Sequence, residues 1–302
     1  MRYLSLTSRL MVGGFLLSFL YAQSVTVLAT RGDVQVEQAG GAWVKATAGM
    51  KLSEQQKVRV GPQSYIALVF AGNKARELRQ PGTYTLSQIL TQKSSVDENP
   101  YASKYTGYVL NQAIASGAGR ASGKTLGAVT RSTMAPLPRT PIQSTFFADR
   151  IHLYWDRVPG SEGYIVQILD ENGQPLLSQE VSAEQTSVEL NLENKVKPGP
   201  CYYWRVSTRR HPNLYSNNIC FRVLPSDKAS LLKKEEEALR RSLELKSAID
   251  YAILGAFYEQ NGLYGYAWQA YNQAASIEPN ADGYITLREN LHQRIAQSGV
   301  SE

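Results

Sequence analysis

Apolar and polar residues alternate along two separate stretches of the chain, residues 25–90 and residues 146–224. Alternation with a period of two is typical of strands that bury one face. In the first stretch the apolar positions are Val34 and Val36, Val58 and Val60, Ile66, Leu68 and Phe70, and Tyr84 and Leu86. In the second stretch they are Ile151, Leu153 and Trp155, Tyr164, Val166 and Ile168, and Val188, Leu190 and Leu192. The pattern predicts a small antiparallel β-domain followed by a β-sandwich.

The hydrophobic period lengthens to three and four residues in the last quarter of the chain, residues 226–302. Two helices are predicted there, from Tyr251, Leu254 and Tyr258 on the first and Ala267, Tyr271 and Ala274 on the second. Asn261-Gly262 is expected to form the turn between them, and Pro279 to end the second helix. Flanking helices are predicted from about Lys228 to Lys246 and from Asp282 to about Gln297. The apolar stripe of the first flanking helix is Leu232, Leu239 and Leu243, and its charged residues are expected to face solvent.

Eight residues of the helical region have the spacing of a repeat of about 34 residues: Tyr251, Leu254, Gly255, Tyr258, Ala267, Tyr271, Ala274 and Pro279. Residues 248–281 therefore resemble a tetratricopeptide (TPR) repeat. The resemblance implies a helical groove that binds an extended peptide or a partner helix. The groove positions of that family fall on Ile249, Ala252, Ala256, Glu259 and Gln260. Occupation of the groove by a flanking helix is the alternative.

The first β-stretch carries a diffuse motif: Gly32-Asp33-Val34, Trp43, Gly49 with Leu52, Val58, Ser64, Ala67-Leu68-Val69, Gly72 and Pro81-Gly82. This order resembles the periplasmic FecR-like domain, although Ser53-Glu54-Gln55 stands where that family more often has a Gly-Asp pair. The resemblance implies a periplasmic interaction module. The membrane-spanning signalling activity of the best-known relatives is not expected, because residues after the first 22 contain no apolar run long enough to span a bilayer.

The second β-stretch resembles a fibronectin type III domain through Trp155, Tyr164, Pro198-Gly199, Tyr202 and Val206. The resemblance implies that the hydroxyl of Tyr202 ties its strand to the preceding loop. Tyr203 and Arg205 have the opposite parity, so they are expected to face solvent, where they could contact a protein partner or a glycan.

The predicted fold class is therefore multidomain β plus α, with a small antiparallel β-domain, a fibronectin type III-like β-sandwich and a C-terminal TPR-like α-helical module. The predicted segments are a signal peptide (1–22), a FecR-like β-domain (25–90), a flexible linker (91–145), the sandwich (146–224) and the TPR-like domain (226–302).

The two cysteines of the chain, Cys201 and Cys220, both lie in the predicted sandwich. If Tyr202 and its alternate neighbours point inward on one strand, and Ile219 and its alternate neighbours on the next, both cysteines point outward. Placing Cys201 opposite Cys220 also places Tyr202 opposite Ile219. Because cysteines of exported proteins are normally oxidised, a disulfide is predicted; two unpaired buried thiols are the alternative.

Residues 1–22 are typical of an export signal. Arg2 and Arg9 supply the positive end, an apolar run extends from Leu10 to Leu20, and the small residue Ala22 is the predicted cleavage site. The chain is expected to be periplasmic or otherwise exported, with no transmembrane helix after signal removal; retention of the signal as an anchor is the alternative. The formal net charge of +6 is too small to indicate a nucleic-acid partner, and the 43% apolar and 19% charged residues are typical of a globular protein.

The segment between the two β-stretches, residues 91–145, is rich in Ser, Thr, Gly, Ala and Pro, and is predicted to be mainly linker. Within it, residues 118–125 nearly match a phosphate-binding loop, in which Lys124 would neutralise phosphates and Thr125 would hold magnesium. Such a loop needs a buried strand before it and a long helix after it. Since Gly127 interrupts the following segment, the linker interpretation is preferred to a nucleotide site.

No recognisable catalytic constellation accompanies these modules. The three histidines, His152, His211 and His292, lie in separate contexts without a metal-ligand or nucleophile spacing. The sequence therefore favours a non-catalytic cell-envelope scaffold or adaptor without a cofactor, which binds envelope proteins or peptides. Recognition of peptidoglycan or another cell-wall glycan is the first alternative, and a nucleotide-binding enzyme is the second.

Overall fold

The computed structural model describes residues 24–92, 97, 99–115, 135–139 and 144–298, which form mainly antiparallel β-sheets and a set of helices, most of them at the C-terminal end. The predicted signal segment with Ala22, and the phosphate-loop-like residues 118–125, lie outside the described residues. None of the helices in the described ranges has the length and hydrophobicity that a bilayer-spanning segment needs.

The first β-unit consists of two four-stranded antiparallel sheets. Its strands are β1 (Ser24–Arg31), β2 (Val34–Glu37), β3 (Trp43–Lys45), β4 (Lys51–Ser53), β5 (Lys57–Val60), β6 (Tyr65–Phe70), β7 (Lys74–Leu78) and β8 (Gly82–Thr85). The strand orders are β4-β1-β6-β7 and β3-β2-β5-β8, and a short helix, α1 (Leu86–Leu90), follows. Val34, Val36, Val58 and Val60 are all buried in one core, which confirms the alternation predicted for these strands.

The second β-unit is a β-sandwich, as predicted. Its strands are β9 (Ser144–Phe146), β10 (Ile151–Tyr154), β11 (Gly163–Leu169), β12 (Pro175–Ser182), β13 (Ser187–Leu190), β14 (Tyr202–Thr208) and β15 (Ile219–Val223). A five-stranded sheet, in the order β12-β11-β14-β15-β9, faces a two-stranded sheet formed by β10 and β13. The hydroxyl of Tyr202 accepts a hydrogen bond from the backbone N–H of Lys197 at 3.0 Å, so the predicted tyrosine corner is confirmed.

Cys201 and Cys220 form a disulfide, with their Cα atoms 5.8 Å apart, and this confirms the predicted pair. The predicted register is wrong by two residues, because Tyr203 lies opposite Cys220 and Tyr202 lies opposite Phe221. A shift of two residues leaves every side chain on its own face of the sheet, so the parity of the pattern could not detect it. Cys201 lies just before β14 and reaches Cys220 diagonally.

A helix inside the predicted linker corrects that prediction. Residues Pro100–Ala115 form α2, whose first N–H groups are capped by Asn99: its Oδ1 accepts from the backbone N–H of Tyr101 at 2.9 Å. A buried stripe at intervals of three and four residues fixes the helix against the rest of the protein: Ala102, Tyr105, Val109 and Ala113. The small residues and the Ser- and Gly-rich surroundings hide this stripe in the composition.

The C-terminal region contains α3 (Ser226–Ser242), α4 (Ala248–Gln260), α5 (Tyr264–Ile277), α6 (Asp282–Glu289) and α7 (Leu291–Ser298). The final predicted helix is thus two helices, with Asn290 between them. The α4–α5 hairpin turns at Gly262, which has a left-handed φ of 72°. Gly255 faces the ring of Tyr271 so closely that a Cβ atom would clash with it, as expected for two helices in close contact.

The helices share one continuous core with both β-units, and this differs from the predicted series of modules joined by a flexible linker. Strand β6 illustrates the arrangement. Its residues Ile66, Leu68 and Phe70 face the core of the first β-unit, whereas Tyr65, Ala67 and Val69 belong to the core shared with the helices. On the other side of the helical unit, α5 packs against β9 and β10 of the second β-unit.

Candidate functional site

The predicted groove residues of the TPR-like hairpin lie mostly inside the protein. Ile249, Ala252, Ala256 and Glu259 are buried, and Gln260 is exposed. Helix α2 packs along α4, where the rings of Tyr105 and Phe257 meet edge to face at a centroid distance of 5.6 Å. A partner could therefore reach the four buried residues only if parts of the chain that pack on α4, such as α2, moved away.

Glu259 accepts hydrogen bonds from groups on three other helices. The hydroxyls of Tyr108 on α2 and Tyr271 on α5 donate at 2.9 and 2.7 Å, and the guanidinium of Arg294 on α7 donates at 2.6 and 3.0 Å. Burial, and the negative charge of Glu259, raise the pKa of Tyr271 well above its usual value. This carboxylate therefore joins α2, α4, α5 and α7 within the chain.

Glu236 joins the helical unit to the second β-unit. Its side chain is buried and accepts hydrogen bonds from Arg150, which lies next to β10, at 2.7 and 3.2 Å. Arg240 and the hydroxyl of Tyr258 donate to it at 2.8 and 2.7 Å. Burial alone would raise the pKa of Glu236, but the hydrogen bonds from Arg150 and Tyr258 outweigh burial and lower it, so the carboxylate stays ionised.

This role of Glu236 was missed from the sequence, where it stands in a run of three glutamates. A signal was present, because Glu236 follows Leu232 by four residues and precedes Leu239 by three. It therefore lies on the buried stripe of α3, and the expectation of a solvated charged face is wrong at this position.

A further pair of carboxylates joins the helical unit to the first β-unit. Glu278 is buried, and its carboxylate accepts a hydrogen bond from Arg31 Nε, at the end of β1, at 2.9 Å. Glu77 on β7 accepts a hydrogen bond from the hydroxyl of Tyr65 at 2.6 Å and from the backbone N–H of Ile249, at the start of α4, at 3.0 Å. The helices thus bind both β-units through buried or half-buried charged groups.

The predicted surface residues Tyr203 and Arg205 lie together on the outer face of the five-stranded sheet, and both are partly exposed. The guanidinium of Arg205 donates to the side-chain oxygen of Gln167 at 3.0 and 2.8 Å. It also lies 3.9 Å from the ring centroid of Tyr215, in the loop between β14 and β15. These contacts hold Arg205 in one orientation on the surface. Tyr215 was not predicted as part of this face.

A polar groove of about 400 Å³ lies on the other side of this unit, between β12, the β10–β13 sheet and α5. Its lining residues include His152, Tyr154, Gln179, Glu189 and Gln269. His152 Nε2 lies 2.6 Å from a carboxylate oxygen of Glu189. Burial has the largest effect on the pKa of His152 and lowers it; together with the charge of Arg150 it outweighs the opposing effect of Glu189, so the imidazole is neutral near pH 7.

Metal-ligating side chains do not converge in the part of the chain that the structure describes: no group of three or more His, Cys, Asp or Glu residues there could hold an ion.

No protein-family model matches this chain, and no curated protein matches it. Among solved structures, a match is found to the crystal structure of chicken CNTN1 FN1-FN3 domains, at 13% sequence identity and a TM-score of 0.22. The match covers 66% of this chain and 53% of that chain, so this chain spans about half of its length.

Proposed function

We propose that this chain is a non-catalytic adaptor of the cell envelope, which holds a protein or peptide partner on its second β-unit. The observation that carries the proposal is the outer sheet face with Tyr203, Arg205 and Tyr215, on a unit that Glu236 and its partners fix to the helices. In this proposal the first β-unit is FecR-like, the α4–α5 hairpin is TPR-like, and their main task is to hold that face in a fixed position.

The chemistry of this face suits a protein partner. Tyrosine and arginine are the residue types that most often dominate binding energy at protein interfaces. Because Gln167 and Tyr215 already orient Arg205, binding costs little additional side-chain entropy. The disulfide between Cys201 and Cys220 borders the same face and supports an oxidising compartment outside the cytoplasm.

A photo-crosslinking experiment tests the adaptor role. A photoreactive amino acid would replace Tyr203 in the full chain, expressed in its native cells. In the control, the same amino acid would replace Lys195, an exposed loop residue. We expect discrete protein adducts from position 203, fewer of them when Arg205→Ala is added, and none of the same adducts from position 195. The absence of protein adducts at position 203 would contradict the proposal.

A second candidate function is recognition of cell-wall glycan, and the partly exposed rings of Tyr203 and Tyr215 favour it, since aromatic rings stack on sugar faces. Sedimentation of the purified protein with purified cell wall tests it. Co-sedimentation that is lost in both Tyr203→Ala and Tyr215→Ala would support glycan binding over protein binding. Protein that stays in the supernatant would exclude this candidate.

A further inference from the structure

Strand β12 forms one end of the five-stranded sheet, where no neighbouring strand lies beside it among the described residues. It is eight residues long, and six of its residues, all except Leu177 and Val181, are exposed. An edge of this length carries a row of backbone N–H and C=O groups that can pair with another strand.

The direction of the backbone groups can be derived from the neighbouring strand β11. The carbonyl oxygen of Gly163 accepts a hydrogen bond from the backbone N–H of Arg209, at 3.0 Å, on the side that faces β14. Since successive residues of a strand direct their backbone groups to opposite edges, the odd-numbered residues of β11 face β14 and the even-numbered residues face β12.

The even-numbered residues of β11 lie opposite Leu177, Gln179 and Val181. These three residues therefore turn their backbone groups toward β11. Ser178 and Glu180, which alternate with them, turn their N–H and C=O groups toward the open edge.

Strand β12 has few of the features, such as proline, bulges and charged side chains, that normally prevent an edge strand from pairing with another chain. Its proline, Pro175, stands at the first position, and the register irregularity of the β11–β12 pair lies at the same end. The strand contains no lysine. Its one charged residue, Glu180, pairs with the guanidinium of Arg209 at 2.5 Å. The middle of the edge is thus open to an added strand.

The polar groove begins beside this edge, because Gln179, Glu180 and Val181 form one of its walls. Its lining includes the carboxylate of Glu189, and none of the described lining residues is Lys or Arg. The side chain of Glu189 is 56% exposed, so a cation can reach it without a large desolvation cost. The groove is complementary to a basic side chain of moderate length.

We propose that β12 receives an extended segment of a partner polypeptide by strand addition, and that lysine or arginine at alternate positions of that segment occupies the groove beside Glu189. The backbone of the added strand pairs with Ser178 and Glu180, and its alternate side chains give specificity. This inference deepens the proposed adaptor role, because it names the edge and the class of peptide that would be held.

The test uses a blocked octapeptide of alternating threonine and lysine, labelled with a fluorophore, and the purified protein. We expect saturable binding in fluorescence anisotropy, and slower hydrogen exchange at the amides of Ser178 and Glu180. A peptide of alternating threonine and glutamate should bind at least tenfold more weakly. The threonine–lysine peptide with every backbone nitrogen methylated has no N–H to donate and should not bind.

Protein variants locate the binding site. Ser178→Pro removes an N–H that points to the open edge and should weaken binding at least tenfold, whereas Ser178→Thr keeps the N–H and should bind normally. Glu189→Gln should weaken binding several-fold. If Ser178→Pro does not fold, the methylated peptide decides the question on the unaltered protein.

No saturable binding, or equal binding by the methylated peptide, would overturn strand addition. Binding that is insensitive to Ser178→Pro in a folded variant would do the same. The adaptor role is judged separately by the adducts at Tyr203, so the two proposals can fail independently.

Discussion

The phenol oxygens of Tyr65 and Tyr284 lie 2.6 Å apart, although 219 residues separate them along the chain. Tyr65 lies on β6 and donates its own hydroxyl hydrogen to Glu77 at 2.6 Å, so Tyr284 on α6 is the donor to Tyr65. Both rings are fully buried, and burial raises the pKa of each hydroxyl well above its usual value. The chain of hydrogen bonds from Tyr284 to Glu77 therefore stays intact at neutral pH and fixes α6 to the first β-unit.

Removing the hydroxyl of Tyr65 should destabilise the protein more than removing the hydroxyl of Tyr284. Tyr284→Phe removes one hydrogen bond while Tyr65 still donates to Glu77, and we expect a loss of about 1 kcal/mol of unfolding free energy. Tyr65→Phe leaves both Tyr284 and Glu77 without this partner, and we expect a loss of about 2–3 kcal/mol. Urea denaturation of the purified protein measures both.

The control for this pair is Tyr101→Phe, because the Tyr101 side chain is 40% exposed. It should change the unfolding free energy by less than about 0.5 kcal/mol. Equal effects of Tyr65→Phe and Tyr284→Phe would show that the hydrogen bond to Glu77 does not contribute as described.

Glu259 was predicted to line a partner-binding groove, and its substitution tests whether it stabilises the fold instead. Glu259→Ala leaves the largely buried Arg294 without its carboxylate and removes the acceptor of Tyr108 and Tyr271, so we expect a loss of about 3 kcal/mol or more. The matched variant is Glu237→Ala, whose side chain is 65% exposed and pairs with Arg241. It should cost less than about 0.5 kcal/mol.

The comparison uses chemical denaturation of the two variants. If Glu259→Ala were as stable as Glu237→Ala, the internal role of Glu259 would be wrong, and the position would become a candidate for partner binding again.

Two helical glycines distinguish helix propensity from close packing. A Cβ atom at Gly283 on α6 would clash with the backbone carbonyl oxygen of Leu28 on β1, which, unlike the end of a side chain, cannot rotate away. Gly283→Ala should therefore cost about 1–3 kcal/mol despite the better helix propensity of alanine. At Gly107 on α2 the nearest group is the side-chain amide of Asn73, which can rotate away.

Gly107→Ala should consequently be neutral or stabilising, by up to about 1 kcal/mol. Thermal unfolding of both variants in parallel measures the difference. Destabilisation by both to the same extent would mean that the contact of Gly283 with Leu28 is not the cause.

The sequence predicted the elements with one buried face well, because that face leaves a periodic signal. Ile66 and Leu68 were correctly placed inward on β6. The other face of the same strand, with Tyr65 and Ala67, is also buried, but by helices elsewhere in the chain, including α6, whose Tyr284 is 219 residues from Tyr65. A local pattern holds no information about such a partner, so the shared core could not be predicted.

The same distinction explains the candidate site. The Tyr202 corner and the disulfide depend on local spacing and were predicted, as was the placement of Arg205 on the outer face. The stacking of Tyr215 on Arg205 depends on the path of an irregular loop. The ion pair of Glu236 with Arg150 joins residues that are 86 positions apart. Contacts of this kind require the tertiary structure.

Asp250, in the first turn of α4, makes stability depend on pH. Its carboxylate accepts from the backbone N–H groups of Lys246 and Ser247 at 3.3 Å, while Ser247 Oγ accepts from the backbone N–H of Asp250 at 3.2 Å. Burial raises the pKa of Asp250 from 3.8 to about 6, and the nearby charge of Glu77 adds to this shift, against the effect of the hydrogen bonds. The folded protein therefore binds this proton more tightly than the unfolded chain does.

Because the folded-state pKa is the higher one, the unfolding free energy should fall as pH rises from about 4 to about 6, by up to about 3 kcal/mol from this group. Asp250→Asn keeps an oxygen acceptor for the helix start but does not titrate. We therefore expect the variant to gain stability relative to the unaltered protein as pH rises through this window, and to hold that gain at pH 8. Urea denaturation at pH 4, 5, 6 and 8 measures the difference between the two proteins. A constant difference across these pH values would mean that burial does not hold the proton on Asp250.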